Sequence, residues 1–177
     1  MAEPALVQLK RELPELSVVW RAFELRPEPV PTLDPGSEYL VRVWNQMVYP
    51  MARQMGIQIE LPTLQPRSRL AHEGAAFARE HGRFEEYHNG LFRIFFQRSE
   101  DIGHPTLLAS LGGEVGLDAD ALRDALDAHV YQDAVLADEE LAEQLGINAV
   151  PAFVVGRSRG ASGVLSVDAL RDLVLGR

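Results

Sequence analysis

The sequence contains no cysteine. Without a thiol there is no disulfide, no thiolate nucleophile and no thiolate ligand for a metal, and nothing in the composition points to an oxidising compartment. Lysine is nearly absent as well: Lys10 is the single one. Schiff-base chemistry would have to rest on it, and nothing around Lys10 favours that. Cations are outnumbered, with 17 Lys and Arg against 26 Asp and Glu and a net charge of -9. That balance argues against the clustered positive charge that attracts phosphate backbones, and so against a nucleic-acid partner. No apolar run approaches the ~20 residues needed to cross a bilayer, which argues against a membrane helix. The opening stretch MAEPALVQLKRELPE has no apolar signal core, and the expected location is the cytoplasm.

What is present suffices for an ordinary core. At 177 residues and 46% hydrophobic, the chain fits one domain, or one domain with an insertion. Pro4 followed by Leu6, Leu9 and Leu13 at helical spacing predicts a short first helix that stops at Pro14. Leu16 to Phe23, LSVVWRAF, is β-branched, aromatic and partly alternating, which predicts a strand. The proline-rich stretch ELRPEPVPTLDPG then forms a loop. From Ser37, apolar residues at Leu40, Val43, Trp44, Met47, Val48, Met51 and Met55 follow a helical period, with Pro50 expected to kink or end the helix and Gly56 to cap it. Helices delimited by Gly or Pro follow through LAHEGAAFAREHG, RFEEYHNGLFRIFFQRS and PTLLASLGGEVG. Asp118 caps a further one, and another runs toward Leu145 and Gly146. The chain ends differently, with a strand at Ala152 to Val155, a turn at Gly156 to Gly160, a second strand at Gly163 to Leu165, and a last helix capped by Ser166. No internal repeat or heptad array is visible.

Several patterns could carry chemistry. His72-Glu73 is followed by Gly-Ala-Ala, so the second histidine of a zinc-binding H-E-x-x-H helix is missing. His81 and His88 are separated by a glycine expected to end a helix. No metal site is expected. Gly156-Arg157-Ser158-Arg159-Gly160 matches the G-x-S-x-G of a nucleophile elbow. A second strand follows it instead of a helix, though, and no histidine lies beyond His129. A hairpin turn with two arginines at an exposed tip is the preferred reading. Glu85, Glu86, Asp101 and Asp138-Glu139-Glu140 read as solvated helix faces. Phe84, Tyr87, Leu91, Phe92, Phe95 and Phe96 read as a packing stripe, part of which could line a pocket. The pattern given most weight is Ala149-Val150-Pro151-Ala152-Phe153-Val154-Val155, a proline immediately before an apolar strand.

Three segments together, WRAFELRPEP (Trp20 to Pro29), PRSRLAHEGAAFAREHGRFEEYHNGLF (Pro66 to Phe92) and LGINAVPAFVV (Leu145 to Val155), resemble the DsbA-like thioredoxin-fold family. More narrowly they resemble its FrnE branch, which is related to the 2-hydroxychromene-2-carboxylate isomerases. The resemblance covers nearly the whole chain. It implies an α/β thioredoxin-like fold with a large all-helical insertion, the thioredoxin-like part being 1–36 and 146–177 and the insertion 37–145. It implies that Val150-Pro151 is a cis-proline loop offering backbone groups to an extended peptide, with Phe23, Glu24, Leu25 and Arg26 near the same groove.

The chain departs from that family where the chemistry should be. Family members begin with a strand and a C-x-x-C pair at the start of the first helix, where helix-terminal amides stabilise a thiolate. Here that helix opens the sequence, so the motif would fall just before Met1, and the serine nucleophile of the isomerase branch is missing with it. No catalytic residue is carried over. The expected protein is thus a thiol–disulfide oxidoreductase homologue that is redox-inactive as given, within a longer native chain that encodes the motif upstream. A redox-dead module holding a peptide or small molecule is the alternative. The isomerase relation is a further one, which would bring glutathione as the implied ligand. Losing an interior strand would leave two rows of backbone groups unpaired at ~1 to 3 kcal/mol for each buried orphan. The expectation is that the flanking strands pair directly, or that a homodimer contact fills the gap.

Overall fold

The structure is a computed structural model that describes all 177 residues. The chain divides into two compact units, one made of Met1–Leu25 with Glu139–Arg177 and the other of Arg26–Asp138.

In the first unit, helix α1 (Glu3–Glu12) opens with Pro4 in its first turn, where a missing N–H costs nothing. Leu6 and Leu9 on one face are buried with Leu170 of the last helix, α9 (Val167–Leu175). As expected, Ser166 caps α9 by accepting the Ala169 N–H. Arg171 ties the two helices together, donating to Glu12 of α1 as well as to its own neighbour Asp168. The guanidinium holds the Glu12 carboxyl below its ordinary value, with a further hydrogen bond from Gln8.

The sheet of this unit has two antiparallel strands, β1 (Ala152–Val155) and β2 (Arg159–Ser162). The second strand therefore comes earlier than the expected Gly163 to Leu165. Gly156 and Arg157 both adopt left-handed backbone, φ 60 and 62, which reverses the chain within three residues and lets pairing resume at Arg159. Gly163, at φ 93, ends the ladder.

A second correction concerns Leu16 to Phe23, which is not a strand of any sheet. Its side chains do alternate, with Leu16, Val18 and Trp20 half-buried and Ser17, Val19 and Arg21 exposed. Leu16, Val18 and Trp20 pack on the Leu6–Leu9–Leu170 cluster beside Phe153 of β1. The segment has the side-chain period of a strand without a ladder, so the direct pairing of flanking strands does not occur.

In the second unit, α2 (Glu38–Val43) is capped by Ser37 and passes into a π-helical turn (Trp44–Val48) and then α3 (Tyr49–Gln54). Pro50 has no N–H and its ring would strike the carbonyl four residues back. The widened turn, in which the Tyr49 N–H reaches Trp44 O, absorbs it without ending the helix. Gly56, at φ 66, closes α3, and the Ile57 N–H returns to Ala52 O at 2.9 Å.

Helices α4 (Arg69–Glu80), α5 (Phe84–Arg98), α6 (Pro105–Glu114) and α7 (Ala119–Asp127, capped by Asp118) enclose the main core of Phe77, Tyr87, Ile94, Leu108, Leu111, Leu122 and Leu126. The last helix of the series, α8 (Gln132–Gln144), runs on through Asp138 into the residues of the first unit. Close approach fixes α4 against α5. A Cβ at Gly74 would collide with the Tyr87 hydroxyl, and that hydroxyl donates to Leu108 O at 3.3 Å from a fully buried ring. Burial pushes the Tyr87 phenol above its ordinary range.

Two predictions follow from these contacts. Gly74→Ala is expected to destabilise the protein by about 1–3 kcal/mol through overpacking, and Tyr87→Phe by about 1 kcal/mol through the lost hydrogen bond. In the Tyr87→Phe background the cost of Gly74→Ala should shrink, because the colliding oxygen is gone. Urea unfolding of the two single variants and the double variant measures this, and strict additivity would refute the contact. The second prediction concerns acid. A carboxylate lowered in the folded state stabilises above its unfolded value, 4.5 for Glu12, and loses that contribution as pH falls through the folded value. The Tm difference between wild type and Arg171→Ala should therefore close as pH is taken below about 4.5; a difference that persists unchanged to pH 2 would contradict it.

Candidate functional site

The Val150–Pro151 peptide bond is cis, as is Glu28–Pro29. Val150 is 46% exposed, and Pro151 behind it is half-buried. The Pro151 carbonyl accepts the Gly163 N–H at 2.8 Å, so the loop is anchored to the far end of β2 rather than hanging free. Phe23 and Glu24 belong to the same unit as this loop. Phe23 is half-buried and Glu24 is 5% exposed. The fifth expected groove residue, Arg26, falls in the second unit, where its side chain is exposed.

Arg26 is held by a partner that the sequence did not reveal. Arg67 donates from one guanidinium nitrogen to Arg26 O at 2.5 Å and to Val30 O at 2.6 Å. Arg26 in turn donates from its own side chain to Pro31 O at 3.2 Å, and the Val30 N–H closes a turn on Pro27 O at 2.9 Å. Proline-rich backbone has few donors of its own, and two arginines supply what the carbonyls of this loop need. No local signal marks Arg67, because the carbonyls it binds are 41 and 37 residues earlier in the chain.

The other candidates take structural places. Ser158 sits in the exposed hairpin turn before β2, not between a strand and a helix, so a nucleophile elbow is not formed. No three His, Asp or Glu residues are grouped so as to hold a metal ion. Glu73 is fully buried, with Oε1 3.2 Å from His129 Nδ1 and Oε2 without a hydrogen-bond partner. One α4 face thus meets the corner between α7 and α8 twice, since the Tyr131 hydroxyl also donates to Glu80 at 2.7 Å. Burial, reinforced by the Glu80 carboxylate, pushes the Tyr131 phenol up to about 12.

The aromatic stripe of α5 is a ladder, Phe84 to His88 at 5.2 Å, His88 to Phe92 at 4.7 Å and Phe92 to Phe96 at 6.0 Å between ring centres. It continues from Phe96 to Trp44 at 6.1 Å. Each step is within the range in which aromatic rings attract.

Comparison with known proteins agrees with the resemblance at its coarser level. Residues 1–174 match the family described as DSBA-like thioredoxin domain. A Bacillus subtilis (strain 168) protein, YwbO, itself described as uncharacterized, is 37% identical over 155 residues, which is 84% of this chain and 78% of that protein. The crystal structure of the probable DsbA oxidoreductase SCO1869 from Streptomyces coelicolor superposes with a TM-score of 0.73 at 27% identity, over 98% of this chain and 80% of the other.

If Arg67 fixes the Arg26–Pro31 loop, Arg67→Ala should speed exchange of the Val30 amide by about an order of magnitude, the effect of losing roughly 1.4 kcal/mol of local stability. Arg67→Lys should recover it only in part, lacking the planar fork. Hydrogen exchange measured by NMR decides, and unchanged exchange in Arg67→Ala would remove the role.

Proposed function

Since the chain belongs to the DSBA-like thioredoxin domain family, we propose that these 177 residues are the body of a thiol–disulfide oxidoreductase homologue that holds an extended polypeptide at the Val150–Pro151 loop and performs no thiol exchange by its own side chains. The observation that carries the reading is the pairing of an exposed Val150 with an anchored Pro151, in a sequence without cysteine. An extended peptide laid along such a loop gains main-chain hydrogen bonds that are independent of its sequence. Phe23 would offer an apolar surface beside it, and Glu24 would rim the groove. In this reading 1–36 and 146–177 form the thioredoxin-like part and 37–145 the helical insertion. The FrnE branch is the narrower placement we favour, supported by the segments Trp20 to Pro29, Pro66 to Phe92 and Leu145 to Val155.

The test uses a permanently unfolded, carboxymethylated polypeptide carrying a fluorescent label. Anisotropy should report a Kd of about 10–100 µM, or roughly 5.5–7 kcal/mol. Val150→Asp should weaken binding by about tenfold, a charge having been placed where an apolar edge was used. Reduction of insulin by dithiothreitol should proceed at the same rate with and without the protein. Absence of binding at about 1 mM would sink the holding role, whereas acceleration of insulin reduction would sink the redox-inactive reading.

A further inference from the structure

We propose that the corner between α7 and α8 is a proton-operated latch: protonated His129 clasps the buried Glu73 carboxyl of α4 and holds the corner shut, and loss of that proton lets the corner open and water reach Glu73. Both residues lie in the second unit, so the latch is separate from the holding role of Val150–Pro151.

Glu73 sets the requirement. It is 0% exposed, Oε2 has no hydrogen-bond partner, and Oε1 lies 3.2 Å from His129 Nδ1. A buried carboxyl with an oxygen left over is costly unless an opposite charge stands beside it. An imidazolium supplies that charge together with a charge-assisted N–H, whereas a neutral imidazole supplies an ordinary hydrogen bond of roughly half the strength. His129 is placed to exchange the proton, because its side chain is 53% exposed while Nδ1 faces a carboxyl that solvent does not reach.

The backbone of the corner opposes the clasp. His129 is held at φ 52, a conformation that costs any residue with a Cβ. The turn rests on three main-chain bonds, His129 N–H to Leu126 O, Val130 N–H to Ala125 O and Gln132 N–H to His129 O. Val130 is 61% exposed and adds no apolar anchor. When the charge on His129 goes, the strained turn remains and its strongest restraint is lost.

The surrounding groups do not reproduce this response. On α4, Glu80 accepts the Tyr131 hydroxyl, and that phenol, pushed up to about 12, keeps its proton wherever an imidazole titrates. His81 Nδ1 lies 2.9 Å from Phe77 O, a bond that an imidazolium also donates, and His72 precedes Glu73 in sequence. On α5, Tyr87 donates to Leu108 O. On α6, His104 Nδ1 accepts the Thr106 N–H, so acid weakens that cap, opposite in sign to the latch. On α7, Asp118 caps its own helix, Asp127 is taken by Arg123 at 2.8 Å, and Asp124 is exposed, as is Asp133 of α8. These carboxylates stay ionised through the imidazole range.

Amide hydrogen exchange of the intact protein, measured by NMR and expressed as protection factors, tests the latch. An ordinary imidazole titrates near pH ~6.5, so protection of Val130 and Gln132 should fall by about tenfold or more between about pH 5.5 and 8. The Leu117 amide, bonded to Gly112 O at the other end of α7, should change by less than about twofold. His129→Asn tolerates the left-handed backbone but does not titrate, and should flatten the profile. Glu73→Gln should flatten it too, and His129→Gly should keep the turn without strain and without pH dependence. His72→Gln and His81→Gln should leave the profile as in wild type. Should Glu73→Gln fail to fold, the two His129 variants decide. A flat profile in wild type, a profile that survives His129→Asn, or one abolished by His72→Gln or His81→Gln would overturn the proposal.

Discussion

Leu6, Leu9 and Leu170 join the two ends of the chain, and the first unit depends on that contact. Onto this cluster pack the alternating residues Leu16, Val18 and Trp20, Phe153 of β1, and Leu165 and Val167 on the approach to α9. Burial of a leucine stabilises by roughly 1.5–3 kcal/mol, which a two-stranded sheet by itself does not match. The Glu12–Arg171–Asp168 ion group lies on the exposed side of the same helix pair and fixes its register. The hairpin that presents Pro151 is therefore positioned by helices.

The second unit solves a different problem, packing helices at close range with little sheet to guide them. Glycines do this at the crossings: Gly74 lies under the Tyr87 hydroxyl, Gly90 against Leu111 and Gly112 against Leu122. Dense contacts of this kind tolerate neither added nor removed volume. Into the same core the fold admits one acidic side chain, Glu73, paired on a single oxygen by His129, whose backbone is left-handed at φ 52. The loop from Arg26 to Pro31 adds the converse case, carbonyls in excess met by the donors of Arg67 and Arg26.

Local chemistry was legible wherever it acts over a few residues. Ser37, Asp118 and Ser166 cap the helices they precede, and Gly56 and Gly146 adopt the left-handed backbone that ends them. The helical period of the middle segments gave α4 to α7 to within a few residues. The elements that were misjudged turn on a distant partner or on a backbone conformation that the residue pattern does not name. Leu16 to Phe23 has the composition and alternation of a strand, but a strand is defined by its neighbour, and the sheet does not include it. Pro50 was expected to kink or end a helix, and the chain passes it in a π-helical turn without ending the helix. The second strand was displaced because Arg157 accepts a conformation that the sequence pattern assigns to glycine.

By itself, then, the sequence determined the helix boundaries, the alternation of the extended segments, the absence of a thiol and the kinship of the thioredoxin-like part, because each is encoded in adjacent residues or in composition. Tertiary structure alone decided which strands pair, that Arg67 serves carbonyls some forty residues away and that Glu73 is buried against His129. Those outcomes rest on hydrogen bonds and contacts between distant parts of the chain, and a local pattern cannot specify a partner it does not contain.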